Sequence, residues 1–190
     1  MQSFLQSRVL AIFDRLSGQA AGTCEIDSCL LRRDCYVDVA DLEKESQGAE
    51  IIQVGILVKD VEETARKLET LIGIGPFRIF EPEYRDLTYN GKPGRFKIKV
   101  GLAKAGHVEI ELMQLLYGET IYEQFARQRG YGLHHMAIRA DNMEQSVKEM
   151  AAKGFKVIQS GNRPGVKWAY LDTEERTGLI FELVEKKKQP

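Results

Sequence analysis

The sequence predicts an α+β fold in which one βαβββ unit is used twice, behind an N-terminal arm that is helical in part. Three observations predict it. Two segments, QVGILVKDVEETARKL from Gln53 and HMAIRADNMEQSVKEM from His135, align without a gap at an offset of 82 residues. Each opens as an apolar strand and turns into an amphipathic helix. Three strand-like runs follow each helix, and a duplication of this kind decides the fold before any single element does.

Composition permits such a core. The chain has 190 residues, 43% hydrophobic and 29% charged, which excludes disorder as the main state. Its 27 basic and 28 acidic residues leave a formal net charge of −1. That balance lacks the basic surplus of a nucleic-acid binder, so no nucleic-acid partner is expected. The longest apolar stretches fall far short of a bilayer span. Arg8 and Asp14 interrupt the apolar pattern of the N-terminus, which has no small-residue cleavage site. A cytoplasmic protein with no membrane partner is expected. Cys24, Cys29 and Cys35 are an odd set without zinc-knuckle spacing or a nearby histidine, and read as reduced thiols.

The arm spans 1–50. Within it Leu5, Val9, Ile12, Phe13 and Leu16 share one helical face, and Gly18 can close that helix. The duplicated domain spans 51–186, with repeats 51–116 and 132–186. In each repeat a capping box starts the helix: Asp60 with Glu63, and Asn142 with Gln145. The first helix is expected to bury Val61, Ala65, Leu68 and Ile72; the second, Met143, Val147, Met150 and Ala151. Strands are expected near 77–83, 95–103 and 107–114, then near 155–160, 166–172 and 178–185. The stretch RDLTYNGKPG reads as an extra loop in the first half.

Strand parity then sorts side chains by face. Ile52, Val54, Ile56 and Val58 face the helices, as do Val108, Ile110 and Leu112, and Phe181 and Leu183. The opposite face collects Gln53, Glu111, His135 and Glu182. Two carboxylates, an imidazole and an amide on an otherwise apolar concave face cost several kcal/mol, roughly, if buried unpartnered; a cation resolves that cost. Gln53 and His135 are repeat equivalents, and so are Glu111 in IEL and Glu182 in FEL. Gln53 alone would read as a hydrogen-bonded core amide; within this symmetric set it reads as a ligand. His134 has the wrong parity for the concave face. Glu109 shares that face, as a supporting acid or a solvated rim residue. Arg139 either anchors a substrate carboxylate or phosphate, or pairs with Glu109. Trp168 and Tyr170 either wall a substrate pocket or fill the core.

These residues carry a family resemblance. IIQVGILVKDVEETARKLETLIG, VEIELMQ, GYGLHHMAIRADNMEQSVKEM and GLIFELVE resemble the vicinal oxygen chelate superfamily, which includes glyoxalase I, methylmalonyl-CoA epimerase, extradiol dioxygenases and bleomycin-resistance proteins. The resemblance covers about residues 50 to 186. It implies a cup-shaped mixed sheet of paired modules (the glyoxalase-like fold) with one divalent metal at its base. The family's ligand positions fall on Gln53, Glu111, His135 and Glu182. That set is found among glyoxalase I enzymes, whereas GLHHMAI behind ETIYEQFARQRG looks more like the epimerases. The residues that help glyoxalase I hold glutathione are Leu57 and Leu115 here. The epimerases' Glu-x-Gly motif is replaced by GKPGRF.

The expected chemistry follows. Three oxygens and one nitrogen suit Co, Ni, Mn, Zn or Mg. Such an ion polarises a substrate carbonyl. Glu182 and Glu111 are the expected catalytic pair, as base and acid in proton transfer beside that carbonyl. Arg139, Glu109, Trp168 and Tyr170 are the expected substrate contacts. The first reading is a metal-dependent isomerase or lyase acting on an acyl thioester, like methylmalonyl-CoA epimerase, or a glyoxalase I-like lactoylthiol lyase. A non-catalytic binding or resistance protein is the alternative of another class, and has no need of four ligands. An Fe(II) dioxygenase needs two histidines and a carboxylate, which Gln53 breaks. A homodimer is expected, because the arm's apolar face needs burial.

Overall fold

In the computed structural model the structure describes residues 49–187. The arm up to residue 48, with its expected helix and the three cysteines, lies outside the described residues. Within them, β1 (Ile51–Leu57) leads into α1 (Val61–Lys67), which a π-helical turn extends over Leu68–Ile72. Then come β2 (Arg78–Phe80), β3 (Glu83–Tyr89), β4 (Lys92–Ala105) and β5 (Val108–Tyr117). Helix α2 (Ile121–Arg129) joins the halves. The second half runs β6 (Gly132–Arg139), α3 (Met143–Ala152), β7 (Val157–Arg163), β8 (Val166–Leu171), a short α4 (Glu174–Thr177) and β9 (Ile180–Lys186).

Both expected caps form. Asp60 accepts from the Glu63 N–H at 2.8 Å, and Asn142 from the Gln145 N–H at 3.0 Å. Each bond satisfies a donor that a helix start leaves open; the reciprocal half of each box does not form, since the Glu63 side chain pairs with Lys67 and that of Gln145 donates to Glu149.

The described strands form one mixed sheet in the order β2-β4-β3-β7-β8-β9-β6-β1-β5, and β4 also pairs with β5. All strands but β2 therefore close into a ring. Each half contributes the same four-strand pattern, with its first and last strands parallel: β1 with β5, β6 with β9. The halves meet through the antiparallel pairs β1–β6 and β3–β7. Paired βαβββ modules with an internal pseudo-twofold are what the duplication implied.

The core is layered accordingly. Val58, Val61, Ala65 and Leu112 pack one helix onto the outside; Ala140, Met143, Leu171 and Leu183 pack the other. The interior is a third cluster that includes Leu57, Phe96, Met113, Trp168, Tyr170 and Val184. Each such large side chain, fully buried, contributes roughly 1.5–3 kcal/mol relative to exposure.

Several expectations need correction. RDLTYNGKPG is not a loop: it is the end of β3, a two-residue turn and the start of β4, with Tyr89 opposite Lys92. Asn90 and Gly91 sit at φ 51° and 74°, the left-handed pair that a tight hairpin turn demands. Ile72 is 67% exposed, because the helix widens into a π turn and carries Leu71 and Ile72 off the packed face. Ala151 is exposed as well.

Two β-bulges interrupt the β1–β6 pair. Gln53 faces Ala137 and Ile51 faces Ile138, so Ile52 is an extra residue; it joins the interior cluster instead of the helix face. Gly55 faces His135 and Ile56 faces Leu133, so His134 is the extra residue on β6. A bulge re-aims the side chain it carries and cancels the parity rule locally.

Candidate functional site

His135 has no exposed surface. Its Nε2 stands 3.2 Å from Glu182 Oε2 and 3.7 Å from Glu111 Oε2. No aligned hydrogen bond satisfies this nitrogen. The two carboxylates reach it from β9 and β5, the last strands of the two repeats, so the duplication delivers one acid from each half. Glu182 is buried and Glu111 mostly so.

The ring of His135 has room because β1 carries glycine opposite it. A Cβ on Gly55 would lie 2.0 Å from His135 Cε1 and 2.6 Å from Nε2. Gly55 is thus as much a part of the site as the side chains. Strand parity places it on the same face as Gln53; that it stands across from His135 with the ring against it is decided by the pairing of β1 with β6.

Gln53 is buried, and its Nε2 donates to Glu109 Oε1 at 2.8 Å. The two are direct partners across the parallel β1–β5 pair. Lys186 and Lys104 also approach Glu109, at 3.4 Å and 3.8 Å. Glu109 therefore holds Gln53 in place with its charge compensated. Arg139 is not brought to the site: it is exposed and forms a two-bond pair with Glu50, which puts its guanidinium at the outer end of β6.

Gln53, Glu109, Glu111 and Glu182 line a cavity of about 50 Å³ inside the ring. Trp168 and Tyr170 are buried in the interior cluster, so they fill the core, and they also line this cavity. Tyr84, Phe96 and Tyr122 complete an aromatic wall. Tyr84 stacks on Phe96 at 4.9 Å, and the Tyr122 and Tyr170 hydroxyls are bonded at 3.0 Å. Sequence reading named Trp168 and Tyr170 but missed Tyr84, Phe96 and Tyr122, which come from three other elements. Arg163 lines the same cavity and was also missed.

Electrostatics mark the site. Burial pushes the Glu111 carboxyl from its ordinary 4.5 up to about 7; His135 opposes this, and Glu182 and Glu109 add to it. Burial alone would lower His135, but the Glu182 and Glu111 carboxylates outweigh it and the ring is raised above 6.5. Burial lowers His134 well below 6.5, with His135 adding to the effect, while the Ile121 backbone favours a proton on the His134 ring.

Among the described residues, no group of three or more His, Cys, Asp or Glu is already closed around a metal-sized point. The donor chemistry nevertheless fits a divalent cation. An unsatisfied, fully buried imidazole nitrogen faces two carboxylates, one of them pushed above its ordinary value by burial, with a buried amide alongside on β1.

A family model described as the Glyoxalase/Bleomycin resistance protein/Dioxygenase superfamily matches residues 52–170. The match covers more than half of the chain, and the chain belongs to this superfamily. It stops short of β9 and Glu182. Uncharacterized protein YqjC of Bacillus subtilis (strain 168) is 28% identical over 94 residues, which is 48% of this chain and 67% of the relative. Hypothetical protein BH1468 from Bacillus halodurans C-125 superposes with a TM-score of 0.58 at 23% identity, covering 76% of this chain and 99% of that one. Methylmalonyl-CoA epimerase from Mycobacterium tuberculosis superposes with a TM-score of 0.54 at 18% identity, over 73% and 88% of the two chains. A methylmalonyl-CoA epimerase in complex with methylmalonyl-CoA and NH4+ gives 0.57 at 17% identity, over 75% and 99%. At these identities the likeness is one of fold.

Proposed function

We propose that this chain is a divalent-metal-dependent isomerase or lyase that moves a proton next to a carbonyl, acting on an acyl thioester in the manner of a methylmalonyl-CoA epimerase. One observation carries the reading: the unsatisfied Nε2 of His135 faces Glu182 and Glu111 at 3.2 Å and 3.7 Å inside an apolar ring. Gln53, Glu111, His135 and Glu182 would hold the cation. When bound, Co, Ni, Mn, Zn or Mg supplies Lewis-acid polarisation of a carbonyl beside it.

The chain's own residues do the rest. Glu182 serves as the base that takes the proton from the substrate α-carbon, and Glu111, from the opposite half of the pseudo-twofold, returns one. Glu109 orients the Gln53 amide. Trp168 and Tyr170 exclude water from the reacting carbon. A cavity of about 50 Å³ admits the reacting end of a small acyl group, and the thiol carrier stays outside it.

The test is a screen of CoA thioesters and hemithioacetals in deuterated buffer, with each of the five metals. Exchange at the α-carbon of a CoA thioester supports the epimerase reading, and Glu182→Gln should abolish it while metal is retained. Turnover of a hemithioacetal instead would make the chain a glyoxalase I-like lyase. Tight binding with neither exchange nor turnover would make it a binding protein of the resistance type.

A further inference from the structure

The β6 bulge leaves two adjacent histidines touching inside the ring, and the first of them has no role in the chemistry above. His134 is buried, and its Nδ1 lies 3.1 Å from Nδ1 of His135. On a regular strand neighbouring side chains point to opposite faces. Here the extra residue in the ladder turns His134 inward. Its ring packs against Phe125 at 4.9 Å, Tyr122 at 5.1 Å and Tyr170 at 5.7 Å. It is therefore gripped by α2 on one side and by the site wall on the other.

We propose that His134 is the positioning residue of His135: its Nδ1 accepts a hydrogen bond from His135 Nδ1–H, which turns His135 Nε2 toward Glu182 and Glu111. The proposal rests on the functional reading above and names the residue that prepares the imidazole for a cation. Two imidazole nitrogens 3.1 Å apart need one proton between them. If His134 supplied it, His134 Nε2 would be a bare, buried acceptor, and a neutral His135 would carry its proton on Nε2, where a cation would have to sit. If His135 supplies it, His134 carries its own proton on Nε2; that atom has no aligned partner in either arrangement, but the Ile121 backbone at the start of α2 favours a proton on the His134 ring. That helix start is itself fixed, since the Ile121 N–H donates to the buried Gln159 Oε1 at 3.0 Å. Metal-bound histidines commonly donate their second ring N–H to a neighbouring acceptor, and loss of that acceptor typically costs 10–100-fold in metal affinity. In this chain the acceptor is the adjacent residue, made available by a bulge.

The deciding experiment reads tautomers. The chain has three histidines, so long-range ¹H–¹⁵N correlation of the imidazole rings can be assigned with His107→Gln and His134→Asn. In the wild-type protein, metal-free and with Zn(II) added, His134 should be the Nε2–H tautomer and His135 Nδ1 should be protonated. A His134 ring carrying its proton on Nδ1 would overturn the proposal. A second arm titrates Zn(II) into variants that keep the wild-type circular dichroism. Asn places an acceptor oxygen near the Nδ1 position, so His134→Asn should bind within a few fold of wild type. His134→Ala should lose 10–100-fold. Equal affinity of His134→Ala and wild type, or equal losses in the two variants, would overturn the idea. If His134→Ala fails to fold, the wild-type tautomer decides alone. A wild type that binds no divalent ion would sink the functional reading, yet the metal-free tautomer would still judge His134 separately.

Discussion

The ring of His135 rests on bare backbone at Gly55, and this contact sets the tightest tolerance in the site. Gly55→Ala would drive a methyl group to 2.0 Å from Cε1, so the ring must leave its place. Overpacking of this kind costs about 1–3 kcal/mol. A thermal melt should show that loss, and a Zn(II) titration should show metal affinity falling with it; wild-type affinity would remove Gly55 from the site. Glu111 gives a pH-dependent prediction. Its carboxyl is raised from 4.5 to about 7, so the folded metal-free protein holds this proton more tightly than the unfolded chain. The stabilisation is complete below pH 4.5 and is lost as pH rises through about 7. Glu111→Gln removes this loss. In chelator-treated samples the variant should gain on wild type between pH 5 and 8, by up to about 3 kcal/mol at roughly 1.4 kcal/mol per pKa unit. His134 acts with the opposite sign below 6.5 and is common to both proteins, whereas His135 loses the Glu111 contribution to its raised value in the variant, which offsets part of the gain. A gap between the two proteins that stays constant with pH would contradict the assignment.

Among the elements, the β3–β4 hairpin shows how local chemistry fixes topology. Its strands carry the pairings that close the ring, β3 to β7 and β4 to β5. The turn that sets their register needs two residues at positive φ, supplied by Asn90 and Gly91. Nothing lies within 4 Å of a Cβ built on Gly91, so Gly91→Ala meets backbone strain and no collision. The expected cost is about 1 kcal/mol in urea denaturation, with the unfolding slope unchanged. A substitution without effect would mean that the turn does not set this register. The same hairpin was legible in the sequence as Asn-Gly between strand-forming residues. The 82-residue repeat aligned the two halves as if the intervening stretch were an insertion, and that hid it.

At the scale of the whole molecule, the ring gathers two acids beside one imidazole, and the proposed cation would relieve the repulsion between the carboxylates. Divalent metal should therefore raise the melting temperature, since an ion that binds only the folded state at 100 times its dissociation constant adds about 2.7 kcal/mol. Differential scanning fluorimetry with and without a chelator measures it, and no shift with any of the five metals would count against the site. No helix among the described residues is long and apolar enough to cross a membrane. We also expect a homodimer. Among the described residues Leu71 and Ile72 are exposed apolar side chains, at 76% and 67%. Light scattering should give twice 21.5 kDa, and a concentration-independent 21.5 kDa would refute the dimer.

The sequence by itself determined the module, its duplication, the helix starts and the strands that carry Gln53, Glu111, His135 and Glu182. Those features depend on near neighbours: a capping box acts over three residues, and strand parity over two. Glu111 and Glu182 were legible as equivalents because their strands are regular where they lie. The tertiary structure alone decided the rest. Arg139 went to Glu50, Glu109 became the support of Gln53, and an aromatic wall assembled from strands and a helix distant in sequence. His134 turned inward because β1 and β6 pair with one residue too many on each side in turn. A bulge is a property of two strands fitted to one another, and neither strand's own alternation records it.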